Sequence, residues 1–73
     1  MVKFLDITSN EQVEKINRLA CKAPFDVWLH TDTVMIDARS LLGIYALVGQ
    51  RVRVVAEDDV NPKAFGKLVD KMA

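Results

Sequence analysis

The sequence predicts an α+β domain of two layers, ordered β-α-β-β-α-β-α, with a four-stranded antiparallel sheet and three helices on one of its faces. Three observations predict it. Apolar residues recur at three- and four-residue spacing behind capping residues in three segments. Four short segments are rich in β-branched and aromatic residues. All seven elements fall within 73 residues, which suits one small two-layer unit over residues 1–73.

Val2 to Thr8 is short and apolar and reads as a strand. Ser9 stops that pattern and can cap a helix, its hydroxyl accepting from N–H groups that have no intrahelical partner. Val13, Ile16, Leu19, Ala20 and Ala23 then form one stripe of an amphipathic helix. Pro24 ends it, because the residue before a proline is pushed out of the helical region. Phe25 to His30 and Thr33 to Asp37 are strands joined by a polar turn at Thr31-Asp32. Val27 and Leu29 face one side of the sheet, Trp28 and His30 the other. Ser40 opens a second helix that runs to about Val48, where Gly49 supplies the left-handed residue that closes it. Arg51 to Ala56 alternates basic and apolar residues, as a strand with one wet face does. After the acidic loop Glu57-Asp58-Asp59, Asn61 caps a last helix with Pro62 at its first position. That helix packs through Ala64, Phe65, Leu68, Val69 and Met72.

Composition narrows the function. Half the residues are apolar (51%) and 27% are charged, so the chain can bury a core and disorder is not expected. Ten basic and ten acidic residues cancel and are mixed along the chain. That balance lacks the basic footprint of a nucleic-acid binder and gives no reason to expect a membrane-surface partner. No apolar run approaches the ~20 residues that span a bilayer. The first residues, Met1 to Asp6, place an acid where a signal peptide carries its apolar core, and the expected location is the cytoplasm.

Enzyme chemistry finds little support. Gly43, Gly49 and Gly66 are scattered, and none belongs to a phosphate-binding pattern. No cofactor is implied. His30 is the only histidine, so a metal site would need Asp32 or Asp37 to complete it, and a solvated or hydrogen-bonded surface imidazole is the expected role. Cys21 is alone, which excludes an internal disulfide and a cysteine-built zinc site. Beside the apolar stripe of the first helix, it reads as a small buried hydrophobe. No metal ligands are assigned. The acidic loop reads as solvated sequence before a helix N-terminus.

The second helix carries the most information. In Asp37-Ala38-Arg39-Ser40-Leu41-Leu42-Gly43-Ile44-Tyr45-Ala46-Leu47, Ile44, Leu47 and Val48 can point at the sheet. Leu41, Leu42 and Tyr45 fall elsewhere on the cylinder, and a short helix in a two-layer domain cannot bury them all. Apolar residues left exposed together mark a docking surface. Ser40 heads the helix as its N-cap, where a phosphate would meet free N–H groups and place negative charge beside the apolar patch.

The run Asp37 to Ile44 resembles the regulatory-serine segment of HPr, the histidine-containing phosphocarrier of the bacterial sugar phosphotransferase system, in its Gram-positive form. The resemblance extends over Val27 to Ile36 and through Ala56-Glu57 to Ala64 and Leu68, with a short deletion near Gly49. It implies the HPr fold, an open-faced sandwich of four strands and three helices. HPr carries phosphate on a histidine just before its first helix, in a His-x-Arg-Pro motif. Here Thr8 to Lys15 contains no histidine, arginine or proline, and Glu11 or Gln12 occupies the histidine position. Without an imidazole nucleophile, phosphoryl transfer through that site is not expected.

The chain is also similar to Crh, the paralogue of catabolite repression in which glutamine replaces the histidine and the regulatory serine is kept. That likeness implies a regulatory binding module. A serine kinase would modify Ser40, and a transcriptional regulator would dock through Leu41, Leu42 and Tyr45. Two other readings stand beside it. One is a phosphocarrier working through Glu11. The other is a scaffolding domain that keeps only the fold and forms a homodimer through Trp28, His30, Met35 and Val55 on the sheet face away from the helices.

Overall fold

The computed structural model describes residues 1–73. Its elements follow the expected order: β1 Val2–Asp6, α1 Asn10–Lys22, β2 Trp28–His30, β3 Met35–Asp37, α2 Leu41–Tyr45, β4 Arg51–Val55 and α3 Pro62–Met72. The four strands form one sheet in the order β1-β4-β2-β3, and every neighbouring pair is antiparallel. The register places Leu5 opposite Val52 and Leu29 opposite Val54. All four are buried, together with Ile16, Ile44, Phe65 and Val69 from the helices. The alternate residues Phe4, Arg51, Arg53, Trp28 and His30 therefore belong to the other face, which no helix covers. Val27 and Leu29 are buried and Trp28 and His30 half-buried, as the alternation predicts.

Sequence punctuation sets the helix ends. The Ser9 hydroxyl accepts from the Gln12 N–H at 3.2 Å. Asn61 Oδ1 accepts from the N–H groups of Lys63 and Ala64 at 2.9 and 3.2 Å, with Pro62 at the first helical position. Ala23 leaves α1 with an extended ψ of 140°, as the following proline requires. Gly49 has a φ of 88°, the left-handed conformation that favours glycine.

Several boundaries differ from expectation. The strands are shorter than their apolar runs, although pairing continues past their ends: the Ile7 N–H bonds Gln50 O at 3.0 Å and the Ala38 N–H bonds Val27 O at 3.0 Å. β3 starts at Met35 because Thr31 takes the turn, its hydroxyl accepting from the N–H groups of Thr33 and Val34. α2 stops at Tyr45 and not near Val48. Leu47 and Val48 bond back three residues, to Ile44 and Tyr45, which tightens the chain into the turn that Gly49 completes. Cys21 is exposed, contrary to the core reading, because it sits about 100° around α1 from the buried Ala20. Ala64 is exposed as well, and α3 packs through Phe65, Val69 and Met72, with Leu68 half-buried.

Two local contacts hold the site elements. Gln12, only 7% exposed, lies in the first turn of α1. Its Nε2 donates to Asp6 O at 2.7 Å and Met72 O at 3.0 Å. Its Oε1 accepts from the Thr8 N–H at 2.8 Å and the Thr8 hydroxyl at 3.1 Å. One side chain thus joins the end of β1, the start of α1 and the end of α3. On the opposite flank, a Cβ built on Gly43 would lie 2.6 Å from Ile36 Cγ2 and 3.1 Å from Ser40 Oγ, so α2 approaches β3 as closely as it does only because residue 43 has no side chain.

Gln12→Ala leaves the Asp6 and Met72 carbonyls and the Thr8 N–H without their partner, and the expected loss is on the order of 2–4 kcal/mol. Gly43→Ala overpacks the α2–β3 contact, with an expected loss of about 1–3 kcal/mol. Urea unfolding of each variant checks both; a midpoint equal to that of the parent chain would contradict the corresponding contact.

Candidate docking site

The approach to α2 is held by charge. Asp37, the last residue of β3, accepts from the Arg39 N–H through Oδ1 at 2.9 Å. The Arg39 guanidinium returns to the same carboxylate, with Nε 3.2 Å from Oδ1 and Nη2 3.0 Å from Oδ2. Nη2 also lies 3.1 Å from Asp26 Oδ1. Hydrogen bonds from the Arg39 side chain, and then from its backbone, hold the Asp37 carboxyl below its ordinary pKa. Between these residues Ala38 is fully buried, so the turn is fixed from within and from without.

Ser40 follows at the N-cap of α2, exposed, with its hydroxyl accepting from the Gly43 N–H at 3.4 Å. That distance is long for such a bond. The three apolar residues behind it are not equivalent. Leu42 is 84% exposed and Leu41 38% exposed. Tyr45 is half-buried and packs against the core cluster, and its hydroxyl donates to Glu14 Oε1 on α1 at 3.4 Å. Burial, followed by the Glu14 carboxylate, raises the Tyr45 phenol above its ordinary pKa. Ile44 and Leu47 are buried and Val48 half-buried. The helix therefore offers two leucines immediately after an exposed hydroxyl, with the Tyr45 ring serving as a strut between α2 and α1.

The first turn of α1 has a different character. Glu11 is exposed, whereas Gln12 is engaged at both ends of its amide. α1 begins at Asn10, so both residues lie within the helix, and the residue just before it is Ser9, whose hydroxyl is used as the cap. A phosphoryl acceptor needs a free nucleophilic atom; the Gln12 amide is not one, and its four hydrogen bonds leave it no freedom to turn outward.

His30 sits on β2 opposite Met35 and Arg53, on the open sheet face and apart from both helical regions. Its Nε2 is covered and has no hydrogen-bond partner. The carboxylates that could have completed a metal site with it are both occupied by arginines, Asp32 by Arg53 at 3.3 Å and Asp37 by Arg39. Trp28, His30, Met35 and Val55 do share this face: Trp28 stands opposite Val55, and His30 opposite Met35. Arg51 and Arg53 run through the same surface, and Arg51 stacks over the Phe4 ring at 5.2 Å, so charge interrupts the apolar ridges. No helix is long and apolar enough to cross a membrane.

No protein-family model matches this chain, and no curated protein does. Solved structures do match. One is HPr-C-His from Thermoanaerobacter tengcongensis, with a TM-score of 0.76 and 24% identity over 99% of this chain and 90% of that one. Another is the phosphocarrier protein HPr from Bacillus anthracis, with a TM-score of 0.73 and 16% identity over 97% of this chain and 94% of that one. Matched from end to end by both, the chain has the HPr fold.

Proposed function

We propose that this chain is a non-catalytic, cytoplasmic docking module related to the phosphocarriers of the bacterial sugar phosphotransferase system, with α2 as its partner surface and Ser40 as a phosphorylation site. The observation that carries this reading is the arrangement at the head of α2. An exposed hydroxyl stands directly before two solvent-facing leucines on a helix whose other apolar residues are covered. Soluble domains leave such residues in water at a cost, and grouped on one short element they favour a protein partner.

Modification suits this position sterically. The Ser40 hydroxyl makes one long hydrogen bond, so little native structure is lost when it is esterified. The transferred phosphoryl group would leave ATP, form a bond to Oγ in place of the hydroxyl proton, and put roughly two negative charges beside Leu41. Arg39, already held between Asp37 and Asp26, is the nearest cation in sequence, and its guanidinium would have to divide itself between these carboxylates and the phosphate. A partner such as a transcriptional regulator could then distinguish the modified surface by its charge as well as by its leucines.

Incubation with an HPr serine kinase and ATP, followed by peptide mapping by mass spectrometry, tests the reading. Phosphate is expected on Ser40 in the parent chain and nowhere in Ser40→Ala. Leu42→Asp is expected to lower kcat/KM for the kinase by about tenfold or more, the size of a lost interface anchor, without moving the melting temperature by more than a surface change does. An unmodified Ser40, or a Leu42→Asp variant that is phosphorylated as fast as the parent, would contradict it.

A further inference from the structure

At the end of the molecule where α1 meets the start of α3, two open grooves lie side by side. Pro24 forces the chain out of α1 at its last turn, and Pro24, Phe25 and Ala64 line both grooves as their common boundary. On one side the groove between α1 and α3 has Leu19 and Leu68 in its floor and Lys22, Lys67 and Lys71 around it. On the other side, toward the loop that precedes α3, Val60 lies among Asp26, Glu57 and Asp59. Phe25 is half-buried, and Pro24 and Ala64 are exposed.

The charges on either side are almost entirely uncompensated within the chain. None of Lys22, Lys67, Lys71, Glu57 and Asp59 takes part in an ion pair, and only Asp26 is paired, with Arg39. An apolar boundary flanked by lysines on one side and carboxylates on the other is complementary to itself. A two-fold axis lying in the contact plane and parallel to that boundary sets the acidic groove of one molecule on the lysine groove of the other, twice over, with Phe25 near the axis. A separate acidic segment would satisfy the lysines but would meet Glu57 and Asp59 across the boundary. The charge pattern thus favours a like molecule over a foreign acidic one.

We infer that this end of the domain is a homodimer surface, in which Lys22, Lys67 and Lys71 of each molecule face Asp26, Glu57 and Asp59 of the other around an apolar centre at Phe25. Neither groove includes a residue of α2, so the contact leaves the docking helix free and does not depend on its role. Exposed charge pairs are screened by salt. The dimer is therefore a weak one, populated at high protein concentration and low ionic strength.

Sedimentation equilibrium of the full chain, up to about 1 mM protein, tests it. A reversible monomer–dimer equilibrium is expected, weakening about tenfold or more between roughly 0.02 and 0.5 M salt. Two double variants, Lys67→Glu with Lys71→Glu and Glu57→Lys with Asp59→Lys, change only exposed side chains without ion pairs and are expected to keep the parent circular dichroism spectrum. Each alone is expected to be monomeric, because its reversed groove faces a groove of its own sign. Mixed in equal amounts they are expected to form a heterodimer, since every reversed charge then meets its opposite. A chain that stays monomeric at low salt would overturn the inference. So would self-association that either double variant leaves unchanged, or a mixture in which dimerisation is not restored.

Discussion

The Gln12 side chain is the contact on which the arrangement of this fold most depends. A primary amide has two donors on one end and an acceptor on the other, and here both ends are filled by backbone from different elements: the Asp6 and Met72 carbonyls on one, the Thr8 N–H on the other. The first strand, the first helix and the last helix would otherwise meet at three unsatisfied polar groups, and a buried polar group without a partner is costly. The Ser9 cap sits one turn away and uses the Gln12 N–H. The helix start and the tie between the chain's two ends are therefore one structure. It lies in the region that the resemblance matches to the phosphohistidine segment of HPr, and here its hydrogen bonds hold the fold together.

On the other side of the same helix layer, α2 is placed by an ionic clasp outside and by a missing side chain inside. Arg39 bridges Asp37 and Asp26 and so joins the turn before α2 to the segment that enters β2. Gly43 lets the helix approach Ile36. With Ile44 and Leu47 anchored in the core and Tyr45 braced against Glu14, the helix has no way to turn Leu42 inward. Exposure of the leucines follows from how tightly the remainder of α2 is held.

Much of this was legible in the sequence where a single residue type dictates a backbone state. Pro24 and Gly49 mark a helix end and a tight turn, Ser9 and Asn61-Pro62 mark helix starts, and the alternation of Arg51 to Val55 gives the register of the buried face. Elements that depend on several residues at once were harder to read. The apolar run Ala46-Leu47-Val48 predicts a helix to Val48, yet Leu47 is buried and Val48 half-buried from a turn of i→i+3 bonds, with Ala46 left exposed. Adjacency to the apolar stripe suggests a core position for Cys21, but one residue is about 100° of rotation on a helix and the thiol is exposed. The resemblance marks Gln12 only as a residue at the position of the HPr histidine and says nothing of its structural role. The Ser9-x-x-Gln12 spacing of a capping box was the available signal, with the difference that the glutamine reaches Thr8 and not the cap residue itself. The paired grooves around Phe25 could not be found from sequence, since they arise when segments near residues 22–26 and 57–71 are brought together.

We propose that the first turn of α1 is structural and has no phosphoryl-accepting role. The most direct measurement is the intact mass of the chain after incubation with phosphoenolpyruvate and the first enzyme of the sugar phosphotransferase system. Authentic HPr in the same mixture serves as the positive control. A fully labelled control and an unchanged mass for this chain are expected. A phosphoryl group acquired from that donor, mapped to Ser9, Glu11 or any other residue of the first turn, would contradict it.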